Sequence, residues 1–239
     1  MMTAADVSKA LAEAATPERA KAGAWFFKTG KGEYGEGDVF LGVTVPQQRR
    51  IARAHASLSL AEVKRLLRSK LHEERLTALF ILVRQYVRSD ATTKRDIYEF
   101  YRANLRSVNN WDLVDSSAPQ IMGAHLLALP SRERRVVLDP LAKSTSLWER
   151  RIAILSTHAF IGAGDAKDAF RIATILLRDE QDLIHKAVGW TLREVGKRIS
   201  ADVLRTFLEK HAARMPRTAL RYAIEHFSPK ERKTWLALS

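Results

Sequence analysis

Cysteine is missing from all 239 positions, which removes disulfides, thiolate nucleophiles and zinc–cysteine centres together. Proline and glycine are sparse, at seven and 11 residues, so little of the chain is forced to interrupt a regular element. No apolar run approaches the roughly 18 residues that a membrane span needs. Asp6, Lys9 and Glu13 also interrupt what would have to be the apolar stretch of a signal peptide. Acidic side chains are the last shortage: 27 Asp and Glu face 40 Lys and Arg, a formal net charge of +13. A surplus of that size favours a polyanionic partner, nucleic acid or an anionic membrane surface. Hydrophobic residues reach 46%, enough for a true core and too many for disorder. A soluble, reducing compartment fits this composition.

What is present is helical pattern. Residues 3–27 carry the signals of two helices, the second with Pro17 near its start. A glycine-rich loop follows at 28–38, with a formal G-x-G-x-x-G at Gly30, Gly32 and Gly35. The dinucleotide fingerprint must leave a strand and open a helix. This loop leaves a helical segment and enters an extended run at 39–45, so it is read as no nucleotide site. Pro46 begins a further helix, and the segment from His72 to Arg88 carries Leu76, Leu79, Phe80 and Val83 on one face. Thr92 or Thr93 opens a helix to about 104, and Ser131 caps one that carries Pro140. Ser59 with Glu62, Ser146 with Glu149 and Ser228 with Glu231 have capping-box spacing. The expectation is an all-α chain of a dozen helices or slightly more, forming one domain over 1–239. Tetrapeptides headed by Arg75, Val114, Arg151, Lys186 and Arg221 recur at spacings of 39, 37, 35 and 35 residues, as in an α-solenoid of paired helices. Equivalent helices would then line up those cations as a stripe on a concave face. The plainer alternative is that they are solvated or paired with neighbouring acids such as Glu149.

The stretch 109–117 concentrates the chemistry. Trp111 and Asp115 stand one helical turn apart on one face. Asn109 and Asn110 are good N-caps, Asp112 suits the first turn, and Val114, Ala118 and Ile121 give the helix an apolar stripe. By itself such a pair is a core indole and a capping or solvated carboxylate. Two more aromatic–charge clusters stand on successive repeats: Trp148 with Arg150 and Arg151, and Lys186 with Trp190 and Arg193. Gly189 would let another backbone or a ligand close on the Trp190 indole. The seven histidines never adopt metal-ligand spacing with carboxylates and read as surface or core.

Asn-Trp-Asp-Leu-Val-Asp at 110–115, Leu-Trp-Glu-Arg-Arg-Ile-Ala-Ile at 147–154 and Lys-Ala-Val-Gly-Trp-Thr-Leu-Arg-Glu at 186–194 resemble one known family. With Phe40-Leu-Gly-Val43 and Pro46, they are similar to the AlkD-type DNA alkylation repair glycosylases, built from HEAT-like repeats, over nearly the whole chain. The resemblance implies a right-handed superhelix of HEAT-like repeats with a concave basic face. It implies a glycosylase acting on cationic N3- or N7-alkylated purines in duplex DNA. It places Trp111, Asp115 and Trp190 around the damaged nucleotide's deoxyribose as the catalytic set, and Arg151 on a nearby phosphate. Lys186, Arg193, Trp148 and Arg150 would line the DNA surface. Phe26, or its neighbours Trp25 and Phe27, matches the lesion-facing aromatic of the second helix, often Tyr in the family. The glycine-rich insertion at 29–38 is longer than in shorter family versions of this loop. No metal or organic cofactor is implied. The expected partner is double-stranded DNA carrying alkylated bases, with no membrane, met by a cytoplasmic monomer that is nucleoid-associated when bound. The rivals are a non-catalytic module of the same fold that binds distorted or branched DNA, and a protein–protein scaffold. A binder has no need of the Asp115 carboxylate, and a scaffold gains nothing from the charge surplus.

Overall fold

Local capping chemistry sets where about half of the helices begin. The structure, a computed structural model, describes residues 2–238, and all regular structure among them is helical. The chain forms two compact units that meet in sequence at Ile121 and Met122. In the first, the Thr3 hydroxyl accepts from the Asp6 amide to open α1 (Ala4–Glu13), and Pro17 opens α2 (Pro17–Phe26). Thr44 and Gln47 form a capping box before α3 (Val45–Ala54), and Ser59 caps α4 (Leu60–Leu67). Helix α5 (His72–Arg88) follows, then α6 (Ala91–Ala103) and the short α7 (Trp111–Asp115). The second unit holds α8 (Ala124–Leu127), α9 (Ser131–Ala142), α10 (Leu147–Ser156), α11 (His158–Gly162) and α12 (Lys167–Leu176). It closes with α13 (Asp182–Arg198), α14 (Ala201–His211), α15 (Arg217–Ala223) and α16 (Pro229–Leu236).

Each unit is built on one 17-residue helix, α5 or α13. Leu76, Leu79, Ile81 and Leu82 of α5 are fully buried against α3 and α4. Ile184, Val188, Leu192 and Val195 of α13 are buried likewise, with α10, α14 and α15 packed around them. Burying side chains of this size contributes about 1.5–3 kcal/mol each. Val114, Ala118 and Ile121, the apolar stripe expected beside Trp111, are wholly buried as well.

Five expectations are corrected. The extended run expected at 39–45 is broken: it makes one parallel bridge, Val39 to Leu71, turns at Gly42 with φ +84°, and ends at Val45, the first residue of α3. Its amides are satisfied by a side chain instead: Leu41, Gly42 and Val43 donate to the Glu73 carboxylate at 2.9, 2.8 and 3.2 Å. The central helix stops at Asp115, and the chain passes through a π-helical turn, Pro119–Gly123, before α8. Pro119 lacks the N–H that would continue an α-helix over the Asp115 carbonyl. The start of α6 falls at Asp90, which accepts from the Thr93 amide at 2.8 Å, and Ser131 is the first helical residue behind Pro130 rather than a cap. Finally, the repeated cationic positions make no uniform solvated stripe, because Arg75 and Arg151 are buried, at 4% and 5% exposure. No helix among the described residues is long and apolar enough to cross a membrane.

Candidate active site

The turn that carries Trp111 is held by a buried polar network. Asn110, wholly buried, accepts from the Trp111 amide at 2.8 Å and donates through Nδ2 to Asp38 at 3.0 Å. His72, at the start of α5, bridges two carboxylates: Nδ1 lies 2.9 Å from Asp38 Oδ2 and Nε2 lies 2.8 Å from Asp112 Oδ2. The Arg75 guanidinium completes the group with an ion pair to Asp38. Burial alone would lower the His72 pKa, but the hydrogen bonds and charges of Asp112 and Asp38 outweigh it and push it up to about 9. Asp38 is buried too, which works against its charge. The bonds and charges of His72, Arg75 and Asn110 win, and hold its carboxyl below the usual range. The imidazolium is therefore the resident form near neutrality, donating from both nitrogens.

The glycine-rich loop delivers Asp38 to this network. Lys28 begins it with φ +53°, and a Cβ on Gly35 would lie 2.3 Å from the Phe27 carbonyl oxygen, so only glycine lets the loop close on α2. Asp38, His72 and Glu73 were absent from the sequence-based site. Their sequence signals are weak, a carboxylate ending a loop and a His-Glu pair opening a helix, and their meeting is a long-range event.

Rings stack over the network and lead to Trp111. Phe40 stacks on His72 at 4.5 Å, Phe27 stacks on Phe40 at 5.0 Å, and Trp111 lies nearly parallel to Phe27 at 5.1 Å. Phe26, 57% exposed, meets Trp111 edge-on at 5.9 Å, while Trp25 is 83% exposed. Of the three neighbouring aromatics, Phe27 thus packs beneath the indole and Phe26 borders it on the solvent side. A cavity of about 220 Å³ opens beside Phe27, Phe40, His72 and Asp112. Trp111 and Asp115, at the two ends of α7, are both half-buried. The arrangement offers a supported indole face and a carboxylate one turn away, a combination suited to a developing cation.

In the second unit, Trp190 is half-buried on α13 with the His158 ring edge-on at 4.8 Å. Burial drives the His158 pKa down to about 4, with Glu194 opposing it, and Nε2 pairs with the Thr191 hydroxyl at 3.0 Å. Gly189 serves a backbone approach: a Cβ there would lie 2.4 Å from the Ala219 carbonyl of α15. The Arg151 guanidinium donates to the Leu183 carbonyl at 2.5 Å, tying α10 to the first turn of α13. Lys186 pairs with Asp182 at 2.8 Å, and Arg193 pairs with Glu225. All three guanidinium nitrogens of Arg150 are engaged, by Asp179 and by the Ser144 and Thr145 carbonyls. Trp148 is half-buried in the first turn of α10.

The model of the family described as DNA alkylation repair enzyme matches residues 7–227. No curated protein matches the sequence. A predicted DNA alkylation repair enzyme from Enterococcus faecalis has a similar structure, with a TM-score of 0.69 and 16% identity over 90% of this chain and 97% of that one. AlkD2 from Streptococcus mutans aligns with a TM-score of 0.51 and 17% identity over 98% of this chain and 94% of its own. At such identities the two solved structures speak for the fold, an arrangement of helical repeats.

Proposed function

The chain belongs to the DNA alkylation repair enzyme family, and from that membership we propose that it is a DNA glycosylase. Its substrate would be duplex DNA carrying cationic N3- or N7-alkylated purines. The observation that carries the reading is the supported Trp111 indole with Asp115 at the other end of the same turn. An alkylated purine is already positively charged, so its base leaves with little help. The C1′–N bond breaks, its electron pair goes to the base, and the base departs neutral. Positive charge then builds on the sugar, which becomes oxocarbenium-like. A desolvated indole face stabilises such a cation by ~1–2 kcal/mol. The Asp115 carboxylate adds its charge and accepts a proton as water attacks C1′.

Trp190 and Arg151 join the proposal through the resemblance, at the sugar and at a phosphate, with Lys186, Arg193, Trp148 and Phe26 on the DNA surface. Arg150 is left to Asp179 and the Ser144 and Thr145 carbonyls, which engage all three of its guanidinium nitrogens. The scheme calls for no metal or organic cofactor.

The test is single-turnover release of methylated adenine or guanine from methylated duplex DNA. Asp115→Asn keeps the shape and removes the charge and basicity. Because the leaving group is already activated, release should fall by about 10²-fold, the low end of the range for general acid–base groups. Duplex binding should persist. Release by the variant at the wild-type rate would sink the assignment, and a wild type that binds DNA without releasing base would be the non-catalytic module.

A further inference from the structure

The first unit carries a second concentration of charge that the catalytic turn does not use. Arg49 and Arg53 stand one turn apart on α3, and Arg84 and Arg88 one turn apart on α5. The two pairs line one groove of about 440 Å³, joined by Ser116 and Gln120 just past α7. The groove's lining contains no aspartate or glutamate. Arg65, Arg75 and Arg102 of the same unit each have a carboxylate partner, whereas none of the four groove arginines has one among the described residues. Arg49 rests its guanidinium over the Phe80 ring at 4.2 Å, leaving its N–H groups directed elsewhere than into an ion pair. Arg84 is half-buried, and its Nε is shielded from solvent with no hydrogen-bond acceptor.

Like charges one turn apart destabilise a helix, and two such pairs gathered in one groove compound the repulsion. An unpaired buried N–H adds its desolvation cost. Both penalties are removed by one kind of occupant, an oxyanion that accepts from guanidinium forks in paired hydrogen bonds. Ser116 directly follows Asp115 in the chain, so the groove begins where the catalytic turn ends.

We propose that this groove is a phosphate-binding subsite, holding the DNA backbone beside the nucleotide presented to Asp115. The inference rests on the glycosylase reading for its choice of anion. It adds four phosphate ligands, Arg49, Arg53, Arg84 and Arg88, that the family motifs do not contain. These contacts carry no sequence information; they fix the register of the strand.

The experiment measures binding of undamaged duplex DNA against salt for the wild type and for the Arg53→Gln, Arg84→Gln, Arg88→Gln triple variant. Arg49 is left in place because it also packs on Phe80. Each phosphate contact removed should make the slope of log K against log[salt] shallower by about 0.9. Thermal melting of the variant should match or exceed the wild type, since repulsion has been removed. A wild-type slope in a folded variant overturns the proposal. So does protection of the wild type by inorganic phosphate, lost in the variant, with an unchanged duplex slope, which would make the groove a small-anion site. Because undamaged DNA is used, the result stands apart from base release. A variant with a shallower slope and a wild type without glycosylase activity would sustain the subsite and defeat the catalytic reading.

Discussion

Asp112 and Asp115 lie three positions apart, yet the proposed reading gives them different chemistry. From sequence, Asp112 is only a favourable charge in a helix's first turn. In the structure its second oxygen meets His72, and through His72 it is linked to Asp38 and the floor of the aromatic stack. Asp112→Asn should therefore lower the melting temperature, by the equivalent of about 1–3 kcal/mol for a buried donor that loses its charged acceptor, and should slow base release less than Asp115→Asn does. Thermal melts beside release kinetics separate the two, and a rate defect larger in Asp112→Asn than in Asp115→Asn would reverse the roles. The network also predicts a pH dependence. His72 has its pKa raised from 6.5 to about 9, so its contribution is complete below the unfolded value and is lost as pH rises through 9. Asp38 is shifted down, so its share is present above the ordinary carboxylate range and disappears on acidification. At 1.36 kcal/mol per pKa unit, the His72 share is at most on the order of 3 kcal/mol. Melting temperature should fall between pH 7 and 10 in the wild type and fall less in His72→Asn; parallel profiles would remove His72 as the cause.

At the scale of elements, the sequence was most legible where the signal is local. Thr3, Pro17, Ser59, Ser146 and Ser228 mark helix starts because each satisfies, or spares, an amide within three residues of itself. The Trp111–Asp115 pairing was legible for the same reason. The reciprocal half of the Ser59 box was not: Glu62 turns instead to the Ala4 amide, at 2.7 Å, an acceptor choice made by tertiary packing. The break after Asp115 was missed because the apolar stripe continues through Ala118 and Ile121 while Pro119 redirects the backbone beneath it. Glycine roles divide along the same line. On α13, a Cβ at position 189 would meet the Ala219 carbonyl oxygen at 2.4 Å and the Tyr222 Cβ at 2.5 Å, neither of which can swing away. Gly189→Ala should push α13 from α15 and cost about 1–3 kcal/mol, as overpacking does. Gly162→Ala, with nothing within 4 Å, should be neutral or slightly stabilising. Equal melting temperatures for the two variants would mean that the α13–α15 contact yields easily.

For the whole molecule, a net charge of +13 says that a polyanion is attracted but not which cations meet it. The ion pairs distinguish them. Lys186 and Arg193 are already matched with Asp182 and Glu225, and Arg151 is buried against the Leu183 carbonyl. A phosphate taking any of these must displace an internal partner. For Lys186 and Arg193 the freed carboxylate then takes up a cation of its own, so fewer counterions are released per contact; for Arg151 the bond lost is the one to the Leu183 carbonyl. The groove arginines have no such partner to lose. Neutralising Arg151, Lys186 and Arg193 together should therefore make the salt slope shallower by less than the ~2.7 expected of three independent phosphate contacts. The same variant should melt lower, chiefly because loss of the buried Arg151 leaves the Leu183 carbonyl without its donor. The groove triple variant should show the opposite pattern, a nearly full slope change without loss of stability. Duplex titrations from about 50 to 300 mM salt, run beside thermal melts, decide the matter. If the two triple variants change slope equally and melt alike, internal pairing does not select which cations bind DNA, and the total charge alone governs the encounter.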